Sequence, residues 1–210
     1  LALSPTLRRN KAVVEKSFIR PPKLSLEVRY TPVMDLIFMA LPVFAFLIVA
    51  EVVFTSLQGG GVYALKDFAG SMSQLGINSI VRLGTGGALI GLHFFLYQFR
   101  VFDVPNTVWG WIFTFVAIDF VFYWYHRAQH RVRFMWCAHV VHHSSEHMNL
   151  GTALRQSPTG PFTRALFYWP LPLLGFHPLL VASAGAVATI YGFWTHTEVV
   201  RKLWGPLEWL

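Results

Sequence analysis

The sequence predicts an all-α integral membrane protein with about four transmembrane helices and a histidine-rich metal site on the cytosolic face. Composition is the first ground: 54% of the 210 residues are hydrophobic, 16% aromatic and only 13% charged, with a mean hydropathy of +0.47. An ordinary soluble domain carries about a quarter charged residues, so a membrane class accounts for the balance. The second ground is a series of apolar stretches near the ~20 residues that cross a bilayer. The third is a concentration of imidazole. Six of the nine histidines fall between residues 126 and 147, directly behind one of those stretches.

Two regions are expected, a basic N-terminal arm over residues 1–32 and a membrane-embedded domain over 33–210. The arm carries Arg8, Arg9, Lys11, Lys16, Arg20, Lys23 and Arg29 against Glu15 and Glu27, and so supplies most of the net charge of +7. Basic flanks beside a bilayer follow the positive-inside rule and attraction to anionic headgroups. No nucleic-acid partner is expected, because aromatic and basic residues do not interleave in the arm. The single cysteine, Cys137, removes a disulfide framework and thiolate metal sites from consideration. No cleavable leader is expected, since the first long apolar run begins only near residue 33.

Residues 33–57 are long enough to span but carry Asp35, Pro42 and Glu51, which predicts a kink or a partly interfacial position. Residues 76–97 form a second segment interrupted by Gly84, Gly86, Gly87 and Gly91; such small residues permit close helix packing or a re-entrant turn. Residues 108–125 form a third and end where the histidines begin. Residues 161–176 and 178–195 read as a hairpin turning near Gly175 and Pro178. Arg127, Arg131, Arg133 and Arg155 place the loop over 127–160 in the cytosol, and the arm is expected there too. An even number of crossings must then separate arm and loop, so segment 76–97 is the candidate for a re-entrant path. Two crossings after the loop return His196 to the histidine side.

Imidazole offers a neutral nitrogen at physiological pH and is the commonest side-chain metal ligand. Spacings of three and four residues share a helix face. His126 and His130 are therefore expected to point together, and so are His139, His142 and His143. Five convergent imidazoles exceed one tetrahedral structural zinc, which suggests more than one metal ion. Imidazole suits iron, zinc, copper or nickel, and spacing alone leaves these open. Asp119 lies two helical turns before His126, and Glu146 lies just beyond His142 and His143; either carboxylate is placed to orient a ligating imidazole. The opposing expectation for both is an ion pair with Arg127 or Arg155. His147 falls outside the box spacing and is expected beyond the ligand shell. His93 and His177 are expected to be structural. Phe120, Phe122, Tyr123, Trp124 and Tyr125 are placed to line a lipid's approach.

The stretches D119-F-V-F-Y-W-Y-H126-R-A-Q-H130 and W136-C-A-H139-V-V-H142-H143-S-S-E146-H-M-N149-L-G-T152-A-L-R155-Q-S157 resemble the fatty acid hydroxylase/sterol desaturase superfamily. F193-W-T-H196-T-E198 and G205-P-L-E208 resemble it as well, and the wording is most like the alkylglycerol monooxygenase branch and its bacterial relatives. The resemblance implies a membrane-bound non-haem di-iron oxygenase that hydroxylates or desaturates a lipid C–H bond, on a sterol, fatty acyl or alkylglycerol substrate, with molecular oxygen and an electron donor. His126 and His130 would be its first ligand box, His139, His142 and His143 its second, and His196 a further ligand, with zinc able to substitute for iron. The donor it implies is tetrahydrobiopterin, cytochrome b5 or a ferredoxin-type protein, in the bacterial inner membrane or the endoplasmic reticulum. Arg131 stands where the alkylglycerol branch commonly has an acidic residue, a departure that bears on substrate and pterin. The implied third box, another HxxHH after the G-P-L-E motif, is expected beyond Leu210. The alternatives are a membrane zinc hydrolase, for which no HExxH motif is present, and an inactive lipid-binding relative.

Overall fold

A computed structural model describes residues 33–200 together with Lys202 and Gly205. The basic arm and most of the G-P-L-E motif lie outside the described residues. Every regular element within them is helical. The long helices are α1 (Val33–Leu57), α2 (Leu65–Tyr97), α3 (Val108–Arg131) and α8 (Pro178–Phe193). Between α3 and α8 lie the short helices α4 (Arg133–His139), α5 (Leu150–Ala153), α6 (Gly160–Tyr168) and α7 (Pro170–Leu173). Two 3-10 turns, His142–Ser144 and Trp194–His196, complete the set.

Four helical segments are long and apolar enough to cross a bilayer: Phe38–Leu57, Leu65–Tyr97, Val108–Arg131 and Pro178–His196. Hydrocarbon offers no water to backbone or hydroxyl groups, so polar atoms in a span must be satisfied within it. Thr55, Thr85, Thr114 and Thr189 do so by donating to the carbonyl four residues earlier at 2.7–2.8 Å. Large apolar side chains such as Phe46, Ile80, Leu83 and Trp109 stand exposed on the outer surface, where lipid tails would meet them.

Packing is concentrated in two places. Ile118 of α3, Tyr168 of α6, Leu171 of α7, and Val181 and Ala184 of α8 bury one core with Phe176. Ile48 of α1, Leu150 of α5 and Phe193 of α8 bury the other, where the Phe44 and Phe193 rings stack with centroids 4.0 Å apart. Both cores converge on α8, whose small residues Ser183, Ala184 and Ala186 let neighbours approach closely. His177 is structural: its Nδ1 accepts from the Leu179 amide at 3.3 Å and caps α8, with Pro178 in the first turn.

Two expectations are corrected. Residues 76–97 neither break nor re-enter, because they lie inside the continuous 33-residue helix α2. A helical glycine costs only about 1 kcal/mol, whereas opening the backbone in hydrocarbon costs several per unsatisfied group. A methyl placed on Gly84, Gly86, Gly87 or Gly91 would touch nothing within 4 Å, so close packing among the described residues does not require these glycines. Three long helices then precede the histidines, and the start of α1 lies at the opposite end of the bundle from them. The second correction concerns residues 161–176, which form two short helices in place of one spanning limb. Pro170 and Pro172 lack the N–H that a continuous helix needs. The limb still runs from the histidine end to the far end, where Val101 donates to Leu173 at 2.8 Å and Val104 to Gly175 at 3.2 Å.

The turn at Gly175 depends on glycine itself. Its φ is +100°, and a Cβ there would lie 2.1 Å from the Phe102 carbonyl oxygen. Gly175→Ala is expected to destabilise the protein by at least ~2 kcal/mol, combining a left-handed backbone with a backbone clash. Gly86→Ala, inside a helix and in open space, is expected to be neutral or stabilising by about 0.5–1 kcal/mol. Thermal unfolding of both variants in one detergent checks the contrast, and equal effects would contradict it.

Candidate metal centre

The histidines reach one end of the bundle from three directions. His126 and His130 are one turn apart at the end of α3, and their Nε2 atoms stand 3.1 Å apart. His139 closes α4, and its Nε2 lies 3.0 Å from that of His143. His126, His130, His139 and His143 form one group in which the ligating nitrogens all lie within 4.8 Å of one another. His142, three residues after His139, does not join them. Helix α4 ends at His139, and the 3-10 turn over His142–Ser144 re-aims the chain. His142 instead meets His196, with their Nε2 atoms 3.0 Å apart. The five histidines singled out by spacing, together with His196, are therefore assembled at one end of the bundle, arranged as four plus two.

The two-histidine pair has a chemistry of its own. The nearest partner of the His142 Nδ1 is the Arg155 carbonyl at 3.1 Å, closer than the Gln156 amide at 3.5 Å. The nearest partner of the His196 Nδ1 is the Gly192 carbonyl at 2.8 Å, closer than the Thr195 hydroxyl at 3.3 Å. A carbonyl only accepts, so each Nδ1 carries a proton and each Nε2 is left with its lone pair. Two lone pairs then face each other, which demands a cation between or beside them, either a proton or a metal. Burial first, and neighbouring imidazoles second, resist the proton: the His142 ring is pushed down to about 4 from a usual 6.5, although the Arg155 carbonyl opposes the change. In the four-histidine group the same causes push His139 down to about 3 and lower His143. Two nitrogens bound at ~2.1 Å to one ion stand roughly 3.0–3.4 Å apart, which matches all three Nε2 pairs. The donor set fits a borderline metal such as iron or zinc and is wrong for magnesium or calcium.

A polar frame holds this arrangement. Arg155 is buried and places its guanidinium against α2, donating to the Asp67 carboxylate at 2.6 Å, the Ser71 hydroxyl at 3.1 Å and the Ser144 hydroxyl at 2.9 Å. The approach is close because residue 70 is glycine: a Cβ there would sit 3.3 Å from the Arg155 guanidinium. Ser145 donates to the other Asp67 oxygen at 2.5 Å. Glu51 of α1 makes a second tie. Its carboxylate accepts from Tyr63, from the Leu150 amide at 2.8 Å and from Thr197, the residue after His196. Burial and the Glu51 charge raise the Tyr63 phenol, which keeps it a donor.

The two carboxylates proposed from spacing are not part of this frame. Asp119 is exposed on α3 and Glu146 is exposed in the loop; among the described residues neither hydrogen-bonds an imidazole nor pairs with Arg127 or Arg155. Backbone carbonyls take the orienting role at His142 and His196, and Asp67 takes the ion pair with Arg155. His147 lies outside the four-histidine group, with its carbonyl accepting from the Thr152 hydroxyl at 3.0 Å. Of the aromatic run, Phe122 packs 5.5 Å from His126, Phe120, Tyr123 and Trp124 face outward, and Tyr125 is buried. Trp136 stacks on His143 at 5.9 Å and lies 5.6 Å from His130. Asp67, Ser71 and Gly70 carry a legible signal, a polar and small face at the start of an apolar helix. What they bind was not legible.

Comparison with known proteins agrees with this geometry. The Fatty acid hydroxylase family model matches residues 111–210, which include all six assembled histidines. The chain is 37% identical over 172 residues to the alkylglycerol monooxygenase of Danio rerio, covering 80% of this chain and 38% of that protein. It is 36% identical over 177 residues to the alkylglycerol monooxygenase of Homo sapiens, covering 83% and 39%. With that of Xenopus tropicalis it shares 32% over 169 residues, covering 80% and 37%. The chain thus spans about two fifths of the length of these curated relatives. No solved structure matches it. Residues 111–210, which build the histidine centre, are a fatty acid hydroxylase domain, carried by an integral membrane chain similar to the alkylglycerol monooxygenases.

Proposed function

We propose that this protein is a membrane-bound, oxygen-dependent lipid hydroxylase or desaturase whose six assembled histidines supply part of the ligand set for two irons, the rest coming from the third histidine box expected beyond Leu210. The observation that carries the reading is the facing pair of His142 and His196 lone pairs beside a separate four-histidine group, an arrangement suited to two neighbouring cations. The family match and the alkylglycerol monooxygenase relatives support the lipid oxidation. Bound iron would supply activation of molecular oxygen for attack on an unactivated C–H bond. Hydroxylation consumes one O2, two electrons and two protons and releases one water, so an external donor is required. Tetrahydrobiopterin, cytochrome b5 or a ferredoxin-type protein would serve, and an alkylglycerol, fatty acyl or sterol lipid would be the substrate.

The chain's own residues supply position and environment. The Arg155 and Gly192 carbonyls hold His142 and His196 in the tautomer that presents Nε2. Trp136 covers one side of the four-histidine group, and a cleft of about 320 Å³ opens beside His130, lined by Arg131, Val132, Arg133 and Trp136. Exposed Arg127, Arg131 and Arg133 at this end support a cytosolic site by the positive-inside rule. The hydrolase alternative needs a general base beside metal-bound water, and the HExxH arrangement that supplies one is not present in the sequence.

Full-length protein is expected to bind two irons and to consume oxygen when reduced and given one of these lipids. His196→Ala should lose iron from the pair while retaining most of the iron bound by the four-histidine group. Elemental analysis with oxygen uptake checks this; an iron-replete, reduced sample inert toward all three lipid classes would sink the proposal. Arg155→Met removes one side of a buried ion pair, and a loss of about 3–5 kcal/mol is expected, together with weaker metal binding. Unchanged stability and metal affinity would show that Arg155 is not the frame.

The metal-free protein should also lose stability in acid. The His139 and His142 rings titrate near 3 and 4 when folded and near 6.5 when unfolded, so between these limits the unfolded chain binds more protons. Their contribution is complete above about pH 6.5 and fades as pH falls toward 4. Unfolding midpoints of the metal-free protein measured from pH 7 to pH 4 check the direction, and midpoints that rise on acidification would contradict it.

A further inference from the structure

Helix α3 carries a second pair of polar side chains at the same spacing as its histidines. Tyr125 precedes His126 and Gln129 precedes His130, so the two pairs run side by side, about 100° apart around the helix. The histidine pair turns toward its partners: His126 lies 4.7 Å from His139 and His130 lies 4.9 Å from His143, between ring centroids. Tyr125 and Gln129 turn inward, each only 4% exposed. They end the buried stripe of α3 that begins with Gly110, Thr114 and Ile118.

Their polar atoms form one directed line. The Gln129 Nε2 donates to the Tyr125 hydroxyl at 2.9 Å, and that hydroxyl lies 3.2 Å from the Thr163 hydroxyl of α6. Thr163 donates to the Gly160 carbonyl at 3.1 Å. A carbonyl only accepts and a hydroxyl has one proton to give, so Thr163 accepts from Tyr125 and each hydroxyl proton has a taker. Phe167 and Tyr168 of α6 meet the Tyr125 ring edge-on at 5.6 and 6.4 Å. Among the described residues, the Tyr125–Thr163 bond is the only side-chain hydrogen bond from α3 to another helix. The line continues past α6. The Gly160 amide donates to the Ser157 carbonyl at 3.0 Å, which also accepts from the buried Asn78 amide nitrogen of α2 at 2.6 Å. Helix α3 is thereby tied to the same short segment whose Arg155 carbonyl orients His142.

Apolar contact selects the rotation of α3 only weakly. The helix exposes Phe113, Phe120 and Trp124, and lipid tails accept such residues on any face. A buried hydroxyl that loses its partner in hydrocarbon is penalised, so the Tyr125–Thr163 bond distinguishes one rotation from the others. We propose that Tyr125, Gln129 and Thr163 are positioning residues, whose hydrogen-bonded line fixes the rotation of α3 so that His126 and His130 face His139 and His143. The inference rests on the metal-binding part of the reading above and not on its oxygen chemistry.

Full-length protein freed of metal and titrated with Co2+ tests it, with visible absorption reporting the ligand geometry. Thr163→Val and Tyr125→Phe should each weaken cobalt binding at the four-histidine group about 10- to 100-fold and change its spectrum. The part of the signal that His196→Ala removes should stay unchanged in both. Thr163→Ser keeps the hydroxyl and should bind as wild type does. The double variant should bind no more weakly than the weaker single one, because one line is broken once. Thr114→Val removes another buried hydroxyl of α3, bonded to the Gly110 carbonyl of its own helix at 2.7 Å. It should lower the unfolding temperature without moving either cobalt signal. Tyr125→Phe keeps the ring packing and carries the test if Thr163→Val does not fold. Wild-type cobalt binding in Thr163→Val and Tyr125→Phe, an equal loss in Thr114→Val, or no rescue by Thr163→Ser would overturn the inference. Wild-type protein that binds no cobalt would overturn it together with the metal centre. A failed hydroxylase reading would appear differently, as wild-type protein that binds cobalt in this variant-dependent way and oxidises no lipid when loaded with iron.

Discussion

Arg155 joins the two halves of this molecule. Its guanidinium is spread over Asp67, Ser71 and Ser144, while its own carbonyl oxygen accepts from His142. One residue thus ties the N-terminal end of α2 to the histidine loop and sets the tautomer of an imidazole. The ion pair is shielded from water, so an unpaired member would be far more costly than the pair itself is stabilising. Its three partners fit one placement of the loop against α2. Glu51 repeats the device from α1, accepting from the Leu150 amide and from Thr197 on the far side of His196.

These two anchors explain how the histidine-bearing end is built on helices that have little else to hold them. Lipid tails are as apolar as leucine, so burial alone drives helix association weakly in a membrane. The apolar cores at α8 supply close packing, and the polar ties supply register. The histidine-bearing segments between α3 and α8 are short and broken by 3-10 turns and prolines. They could not fix six imidazoles without a frame supplied by α1 and α2.

Much of this was legible in the residues. The spacings of His126 with His130 and of His139 with His143 place each pair on one helical face, and the structure brings their Nε2 atoms to 3.1 and 3.0 Å. Counting the chain's return places His196 at the histidine end, and its Nε2 stands 3.0 Å from that of His142 although the return limb is two short helices. Helix geometry misled at His142, since the chain leaves the α conformation after His139 and turns that ring toward His196. It misled again for Asp119, which lies on the correct helix but points into the surroundings. Glycines in 76–97 suggested a break that the bilayer's penalty on open backbone does not allow.

The sequence by itself determined the membrane class, the long helical segments and the two pairings of His126 with His130 and His139 with His143. Those features follow from composition and from periodicity along one chain, which are local properties. Only the tertiary structure decided the division into four and two and the partners of Arg155 and Glu51. Each of these joins residues far apart in sequence through a few directed contacts. The direction of such a contact depends on how whole helices are placed, and no local pattern encodes it.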